Sequence, residues 1–411
     1  MECTSTRKMI PLRGTCSFLE DEKWRRLRTK LTPTFTSGKL KMMFETLVAC
    51  SDGLKDILDD HSTFQDAVDI KDVLSRYTTD IVGSCAFGID CNSLKNPNSE
   101  FRQFGKKFFE QSFTSRIKRI ITMIVPRSIL IKAGLKLTDP EVQSFFMDVV
   151  RKTVDHRENN NVFRKDFMHL LLQLKNRGVV AEDENILESD EDKDKAKTFL
   201  TFNEIAAQCF VFFIAGFETS ASTMTFALLE LAMNQDIQKK LREEITTVLI
   251  KHNDQITYDA IMEMVYLDKI ICETLRAHPP FPGLPRVCNK DYPVPGTNVV
   301  IESGTRVHIP VYGIHTDPDY YPKPEVFDPE GFNEENKSKR PGFTFLPFGE
   351  GPRLCIGARF AMMQSKVGLV AIVRHYTVTL NKKTITPIKH DIKTFVMGVK
   401  GGVWLNVSRN I

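Results

Sequence analysis

FTFLPFGEGPRLCIGAR, residues Phe343–Arg359, is the stretch of this 411-residue chain that decides its fold. It places one cysteine, Cys355, on a loop rich in glycine and proline, directly before an apolar run that predicts a helix. Glycine lets a backbone turn tightly and approach a flat ligand closely, because no Cβ intervenes. Amide groups aimed at the sulfur, and the N-terminus of the following helix, favour the thiolate over the thiol. The loop is therefore suited to present a cysteine sulfur as an anion.

The neighbours of Cys355 indicate what such a sulfur would bind. Gly349 and Gly357 flank it in the pattern F-G-x-G-x-R-x-C-x-G. Phe348 offers an apolar face to a planar ring, and Arg353 supplies a cation suited to bidentate contact with a carboxylate. These features favour a single soft ligand for a large flat metal cofactor, which is haem iron. A small buried core residue is the simpler interpretation of a lone cysteine that lacks such neighbours.

The bulk composition is that of a globular protein with a sizeable core, since 42% of the residues are hydrophobic and 26% are charged. A formal net charge of +4 is too small to indicate nucleic acid, and no such partner is expected. The nine cysteines are scattered without a C-x-x-C pair, so the sequence predicts neither a disulfide framework nor a zinc site. Charges throughout the first 24 residues argue against a secretory signal, and no transmembrane anchor is expected.

A second stretch, Thr201–Asn234, is apolar and predicts a long core helix. It opens with a capping box, because Thr201 is followed three residues later by Glu204. Its centre reads AGFETS, Ala215–Ser220. A glycine inside a helix costs about 1 kcal/mol relative to alanine. Gly216 therefore suggests that a small residue is needed, which would leave room for a ligand against the backbone.

The centre of this helix also carries an acid and a hydroxyl, Glu218 and Thr219, in apolar surroundings. A threonine can hydrogen-bond to the carbonyl four residues back, here that of Ala215, and locally open the helix. The alternative is a core helix that tolerates a polar pair, and the pattern alone leaves both open. Three nearby aromatic residues are candidates for either a pocket wall or the core: Phe210, Phe213 and Phe217.

The cysteine loop resembles the haem-binding loop of the cytochrome P450 family, the haem-thiolate monooxygenases. The helix centre matches that family's A-G-x-[DE]-T-[TS] motif at every position. LRTKLTPTFTSGKLKMMF, residues 27–44, is similar to the insect microsomal detoxification branch, and the resemblance covers roughly residues 18–411. The implied fold is a single domain over residues 1–411, mainly α with a minor β-rich edge. Val299–Pro310 is expected to form a hairpin of that edge, turning at Gly304.

The resemblance implies roles for particular residues. Cys355 would ligate the iron of haem b, and Glu218 with Thr219 would relay protons. Nine further residues would contact the cofactor: Trp24, Arg28, Ala215, Gly216, Arg286, Phe348, Gly349, Arg353 and Gly357.

Trp24 and Arg28 lie in KWRRLRTK, residues Lys23–Lys30, which holds five basic residues in eight. The plain interpretation of such a run is a solvated helix face. At a spacing of four the two residues share a helix face, and the family's W-x-x-x-R reaches the haem propionates. The remaining cations would face outward as a docking surface.

E-x-x-R at Glu273 and Arg276 matches a pair that the family buries as a brace for the cysteine loop. On an exposed helix, such a pair contributes only a few tenths of a kcal/mol. The family completes the brace with an arginine where this chain has Gly331. Arg340 lies nine residues further on, and its spacing gives no argument that it substitutes. The third part of the brace is therefore in doubt.

The implied activity is mono-oxygenation, in which one atom of O₂ enters a small lipophilic substrate and the other leaves as water. Electrons would come from NADPH–cytochrome P450 reductase, with cytochrome b5 as a second donor, at the cytoplasmic face of the endoplasmic reticulum membrane. Rearrangement of an oxygenated substrate without O₂ is an alternative that the Glu218–Thr219 pair disfavours.

Two further expectations concern the beginning of the chain and one acidic internal segment. By the resemblance, the family's N-terminal anchor and its first strands and helices are expected to be lacking ahead of Trp24. This expectation makes a truncated, haem-deficient and inactive homologue the second alternative. Membrane contact is then expected of a longer form. Gly178–Lys197, with eight acidic residues among twenty, predicts an exposed linker rather than a domain boundary.

Overall fold

The computed structural model describes residues 16, 19, 21–109, 139–180, 199–391, 394 and 396–410. The predicted acidic linker lies outside this part of the chain, apart from its first three residues. Within it the protein is mainly helical with small antiparallel sheets, as the resemblance implied. The helices are α1 Asp21–Leu31, α2 Ser37–Phe64, α3 Ile70–Val82, α4 Glu100–Phe109, α5 Pro140–Asn159, α6 Phe167–Asn176, α7 Phe202–Met233, α8 Gln235–Lys251, α9 Tyr258–Glu263, α10 Val265–Ala277, α11 Val311–His315, α12 Glu334–Lys339 and α13 Ala358–Val373.

Short strands form three antiparallel groups, in the orders β1-β7-β6, β2-β5 and β3-β4. Their bounds are β1 Val68–Asp69, β2 Leu284–Val287, β3 Tyr292–Pro293, β4 Val300–Ile301, β5 Arg306–Ile309, β6 Tyr376–Leu380 and β7 Trp404–Arg409.

The hairpin predicted for Val299–Pro310 is wrong, because its two strands pair with other partners. Strand β5 pairs with β2, and strand β4 pairs with β3. Gly304 does turn the chain, at a φ of +88°. Its amide, however, donates to the carbonyl of Cys288 at 2.7 Å, directly after β2. The turn is thus attached to the β2 segment, and each strand finds its partner outside the hairpin.

The chain divides into two compact units, one with residues 1–58 and 72–218 and the other with residues 59–71 and 219–411. Helix α7 continues from the first unit into the second between Glu218 and Thr219. The capping box at its start is confirmed. The Glu204 carboxylate accepts the Thr201 amide at 2.8 Å, and the Thr201 hydroxyl accepts the Glu204 amide at 3.3 Å. By length and composition α7 could cross a membrane, yet 72% of its apolar window is buried inside the protein, as in a core helix.

Aromatic side chains form the core of the first unit. The Phe213 ring is fully buried, and its centre lies 4.9 Å from the ring centres of Phe101 and Phe146. Phe217 stacks on Phe213 at 5.5 Å, and the Phe210 ring lies 5.1 Å from that of Phe146. The three phenylalanines that the sequence left between pocket wall and core therefore pack in the core.

In the second unit, buried polar side chains connect the helices to the sheet. The Gln238 side chain of α8 donates to the carbonyl of Val378 in β6 and accepts its amide, both at 2.9 Å. Lys366 of α13 is buried and pairs with Asp268 of α10 at 2.9 Å. The Lys366–Asp268 pair thus attaches α13, the helix that follows the cysteine loop, to α10.

Candidate functional site

The cysteine loop is folded by its own backbone. Gly349 and Gly351 have φ angles of +74° and +76°, in the left-handed region that glycine adopts without strain. The Cys355 amide donates to the carbonyl of Phe348 at 2.9 Å, which closes the loop. Gly357 then directly precedes α13. As a result, Cys355 is exposed close to the N-terminal end of a long helix.

Four other cysteines of the described chain are in surroundings that keep them as thiols. Burial raises the pKa of the Cys50 and Cys272 thiols to about 12. Burial likewise raises the pKa of Cys85 and Cys209 well above the usual range. A thiol is a poor metal ligand until it loses its proton. Exposure therefore distinguishes Cys355 from these four residues.

The structure brings Arg286 to the cysteine loop. Arg286 lies on β2, and its Nη2 atom is 3.7 Å from the position that a Cβ on Gly349 would occupy. The Leu284 side chain lies at the same distance. Arg353, within the loop, is half-exposed. A cation and an apolar side chain thus adjoin the glycine turn.

These residues fit a haem group. The loop offers an accessible sulfur donor, and Leu354 beside it is 38% exposed, an apolar surface suited to a macrocycle. Arg286 and Arg353 are suited to the carboxylates that a haem carries. The residue types and their order on the loop match what a single thiolate ligand to haem iron requires.

Helix α7 presents the acid and the hydroxyl on an accessible stripe. Most of this helix is buried, but one face is open at spacings of three and four residues, and it consists of Val211, Ile214, Ala215, Glu218 and Thr219. The Thr223 hydroxyl donates to the Thr219 carbonyl at 2.9 Å, so this carbonyl has a side-chain donor one turn further along the helix.

Gly216 and Ser220 are two small residues of α7 whose surroundings differ. A Cβ on Gly216 would lie 3.1 Å from Val82 Cγ2, so packing within the first unit accounts for a small residue there. Ser220 is buried, and its Oγ has no hydrogen-bond partner within the described chain. No sequence motif assigned a role to this hydroxyl, which lies next to Thr219 in the chain.

Helix α1 carries the predicted W-x-x-x-R pair in the first unit. Trp24 and Arg28 are both half-exposed one turn apart, beside the buried Leu27 and Leu31. Three of the other four cations of the run are exposed, namely Lys23, Arg25 and Arg26. The fourth, Lys30, is half-exposed and donates to the Gly178 carbonyl at 3.2 Å. The three exposed cations fit the solvated or docking face that the sequence predicted, whereas Lys30, which contacts Gly178, does not.

The E-x-x-R pair is buried in the second unit. Arg276 donates from Nε and Nη2 to both oxygens of Glu273, each at 2.7 Å. It also donates to the carbonyls of His315 at 3.1 Å and Pro324 at 3.0 Å. Glu273 in turn accepts the amide of Asp328 at 3.0 Å. Burial raises the pKa of Glu273 although Arg276 opposes this shift. The pair therefore holds two chain segments against α10.

Arg340 returns to the position where the family arginine is missing. Its guanidinium donates to the carbonyl of Gly331. The same group lies over the rings of Phe332 at 4.5 Å and Tyr321 at 4.7 Å. The Tyr321 ring also faces the Arg276 guanidinium at 5.4 Å. The spacing in the sequence does not reveal this role, because α12 lies between Gly331 and Arg340 and folds the chain back.

A mainly helical fold with an accessible cysteine on a glycine-bent loop, an arginine beside it and a long helix after it defines the class of haem-thiolate enzymes. The family model Cytochrome P450 matches residues 2–405, and the chain belongs to this family. It is therefore a haem b-dependent monooxygenase that uses O₂, a redox partner and a lipophilic substrate.

Three similar proteins come from insects. The chain is 43% identical over 402 residues to probable cytochrome P450 6a20 of Drosophila melanogaster, covering 97% of this chain and 77% of the relative. It is 43% identical over 403 residues to cytochrome P450 6A1 of Musca domestica, covering 97% and 76%. It is also 43% identical over 396 residues to cytochrome P450 6a2 of Drosophila melanogaster, covering 95% and 76%. The resemblance drawn from the motifs is confirmed, and the inactive alternative receives no support from these relatives.

Proposed function

We propose that Cys355 is the thiolate ligand of the haem and that Glu218 and Thr219 deliver protons during oxygenation of a lipophilic foreign compound. The supporting observation is the exposed cysteine on the glycine-bent loop before α13, with Arg286 beside it. Bound haem supplies the oxygen-activating chemistry, which a cysteine thiolate favours by donating electron density.

The protein binds and orients the cofactor in this proposal. Arg286 and Arg353 bind its carboxylates, and Trp24 with Arg28 contribute from α1. Phe348, Gly349 and Gly357 would shape the loop surface that holds the cofactor. Ala215 and Gly216 provide a small-residue surface on α7.

Proton delivery belongs to the accessible stripe of α7. The Glu218 carboxylate takes up a proton, and the Thr219 hydroxyl passes it on through its oxygen. Both side chains are half-exposed on the open face of a mostly buried helix, so they meet water on one side and apolar residues on the other. A positioned relay of this kind contributes roughly 10²–10⁴-fold to a rate.

Electrons reach the haem one at a time from NADPH–cytochrome P450 reductase, with cytochrome b5 as a second donor. The exposed cations Lys23, Arg25 and Arg26 suit an acidic flavoprotein surface. We place the reaction at the cytoplasmic face of the endoplasmic reticulum membrane, where such donors reside.

The central assignment is tested by the carbon monoxide difference spectrum of the reduced holoprotein. The wild-type protein should give the band of a thiolate-ligated haem, and Cys355→His should shift that band and abolish product formation. Cys288→Ser is the matched control, since Cys288 is a half-exposed cysteine of the same unit whose thiol donates to the Lys290 carbonyl at 2.9 Å. A spectrum unchanged by Cys355→His would show that another residue ligates the iron.

A further inference from the structure

One buried histidine connects the E-x-x-R helix to the cysteine loop. His315 is the last residue of α11 and is completely buried. Both of its ring nitrogens are within hydrogen-bond distance of backbone atoms. Nδ1 lies 3.2 Å from the carbonyl oxygen of Arg276 in α10, and Nε2 lies 2.8 Å from the amide nitrogen of Leu346.

These two contacts fix the tautomer of the imidazole. A backbone amide can only donate, so Nε2 of His315 accepts and carries no proton. A backbone carbonyl can only accept, so Nδ1 carries the proton and donates to Arg276. His315 is therefore neutral, and a protonated ring would lose the contact to Leu346.

The connection to Arg276 runs in both directions. While the His315 ring donates to the Arg276 carbonyl, the Arg276 guanidinium donates to the His315 carbonyl at 3.1 Å. The ring of Phe345, the residue before Leu346, stacks on the imidazole at 5.5 Å with an interplanar angle of 27°. The imidazole thus has a single position.

Backbone hydrogen bonds continue from Leu346 to the cysteine. The Leu346 carbonyl accepts the Gly349 amide at 3.1 Å, and the Phe348 carbonyl accepts the Cys355 amide at 2.9 Å. An unbroken series of contacts therefore runs from the buried Glu273–Arg276 pair through His315 to the loop that carries Cys355.

We propose that His315 is a positioning residue that transmits the rigidity of the Glu273–Arg276 pair to the cysteine loop. It does so through the acceptor at Nε2, which holds the Leu346 amide, and it does not touch the cofactor. The proposal rests on Cys355 as the haem ligand.

Two substitutions separate the functions of the two ring nitrogens. In His315→Asn the side-chain amide nitrogen replaces Nδ1, so the donor to Arg276 is retained and the acceptor for Leu346 is lost. In His315→Gln the side-chain oxygen replaces Nε2, so the acceptor for Leu346 is retained. Thr274→Val is the control, because Thr274 is equally buried and its hydroxyl donates within α10, to Ile270 at 2.8 Å.

The measurements are backbone amide hydrogen exchange and the reduced carbon monoxide spectrum of each holoprotein. We expect His315→Asn to raise the exchange rate of the Leu346 amide roughly three- to tenfold relative to His315→Gln, the effect of one lost hydrogen bond. The share of bound haem that shows the thiolate band should likewise be lower in His315→Asn than in His315→Gln. Thr274→Val should change neither quantity. Equal Leu346 exchange in the asparagine and glutamine variants would overturn the proposal.

A wild-type measurement keeps the proposal testable if a variant fails to fold. Histidine labelled with ¹⁵N, observed in the diamagnetic reduced carbon monoxide complex, should show His315 as the neutral Nδ1–H tautomer. An Nε2–H tautomer or a charged ring at neutral pH would refute the link. If the wild-type protein lacked the thiolate band, the assignment of Cys355 would fail instead, and Leu346 exchange would still decide the role of His315.

Discussion

At the scale of single residues, side-chain exposure in the second unit distinguishes a candidate ligand from residues that stabilise the fold. Cys355 is exposed, whereas burial raises the pKa of the Cys272 thiol to about 12. Among charged residues, one buried pair likewise stabilises the fold. Glu273 and Arg276 are buried and satisfied by each other and by backbone groups, so their loss would damage the fold rather than the reaction alone.

Thr219→Ala tests the proton relay at this scale. We expect NADPH to be consumed at a similar rate while hydroxylated product falls and peroxide rises, because the hydroxyl that passes protons is gone. A loss of about 10²-fold or more in product per NADPH is the expected size for a relay step. Thr225→Ala is the control, since its buried hydroxyl only donates to the Ala221 carbonyl at 2.7 Å. Unchanged coupling in Thr219→Ala would leave that residue with a structural role.

At the scale of elements, the sequence predicted correctly those features that depend on contacts between residues close together in the chain. The capping box at Thr201 and Glu204 indicated the start of α7, because its hydrogen bonds join residues three apart. The hairpin around Gly304 was wrong, because turn chemistry is local but the choice of a partner strand is not. His315 could not be found from the sequence, since its two partners lie 39 and 31 residues away and neither spacing is a motif.

The contact between Arg340 and Gly331, which is also invisible in the sequence, can be tested by substitution. Arg340→Ala removes a hydrogen bond to Gly331 and two cation–ring contacts, so we expect a loss of about 1–3 kcal/mol in the free energy of unfolding. Lys339→Ala is the control, because its pair with Glu335 is exposed and worth under about 1 kcal/mol.

A second change refines this experiment. A Cβ on Gly331 would meet no heavy atom within 4 Å, so Gly331→Arg has room to replace the lost guanidinium. In the Arg340→Ala background it should recover part of the stability measured by urea unfolding. If Arg340→Ala unfolds like the wild-type protein, Arg340 is not a part of the brace.

At the scale of the whole molecule, the predicted roles are spread over both compact units. The first unit carries Trp24, Arg28 and Glu218, and the second carries Thr219 and Cys355. Each unit has its own buried core, so stability can be measured on the complete chain and still be traced to one unit by substitution. The part of the pH dependence of stability that His315 supplies is one such property of the second unit.

The pH prediction follows from His315. Burial lowers its pKa to about 4, against 6.5 in an unfolded chain, and the Arg276 charge acts in the same direction. Between these values the unfolded chain binds the proton and the folded one does not, so stability rises with pH through this window and is complete above about 6.5. The contribution is a few kcal/mol, because one pKa unit corresponds to about 1.4 kcal/mol.

Urea unfolding between pH 4 and pH 7 measures this contribution as a difference. His390 also has a pKa lowered by burial and by His278, so the wild-type slope alone does not isolate His315. His315→Gln should flatten the pH dependence of the unfolding free energy by the amount that His315 supplies. Parallel curves for the two proteins would contradict the buried neutral state.

The exposed cations of α1 should speed association with the electron donor. Lys23, Arg25 and Arg26 are exposed on α1, and exposed charges are screened beyond about 10 Å at 0.1 M salt. We expect reduction by the flavoprotein to slow as salt rises, because charge complementarity acts mainly on the association rate. Replacing the three cations by glutamine should slow reduction at low salt and weaken its salt dependence, without changing the reduced carbon monoxide spectrum. Lys337→Gln with Lys339→Gln, two exposed cations on α12, should have little effect. A reduction rate indifferent to both salt and the α1 substitutions would remove these cations from the docking surface.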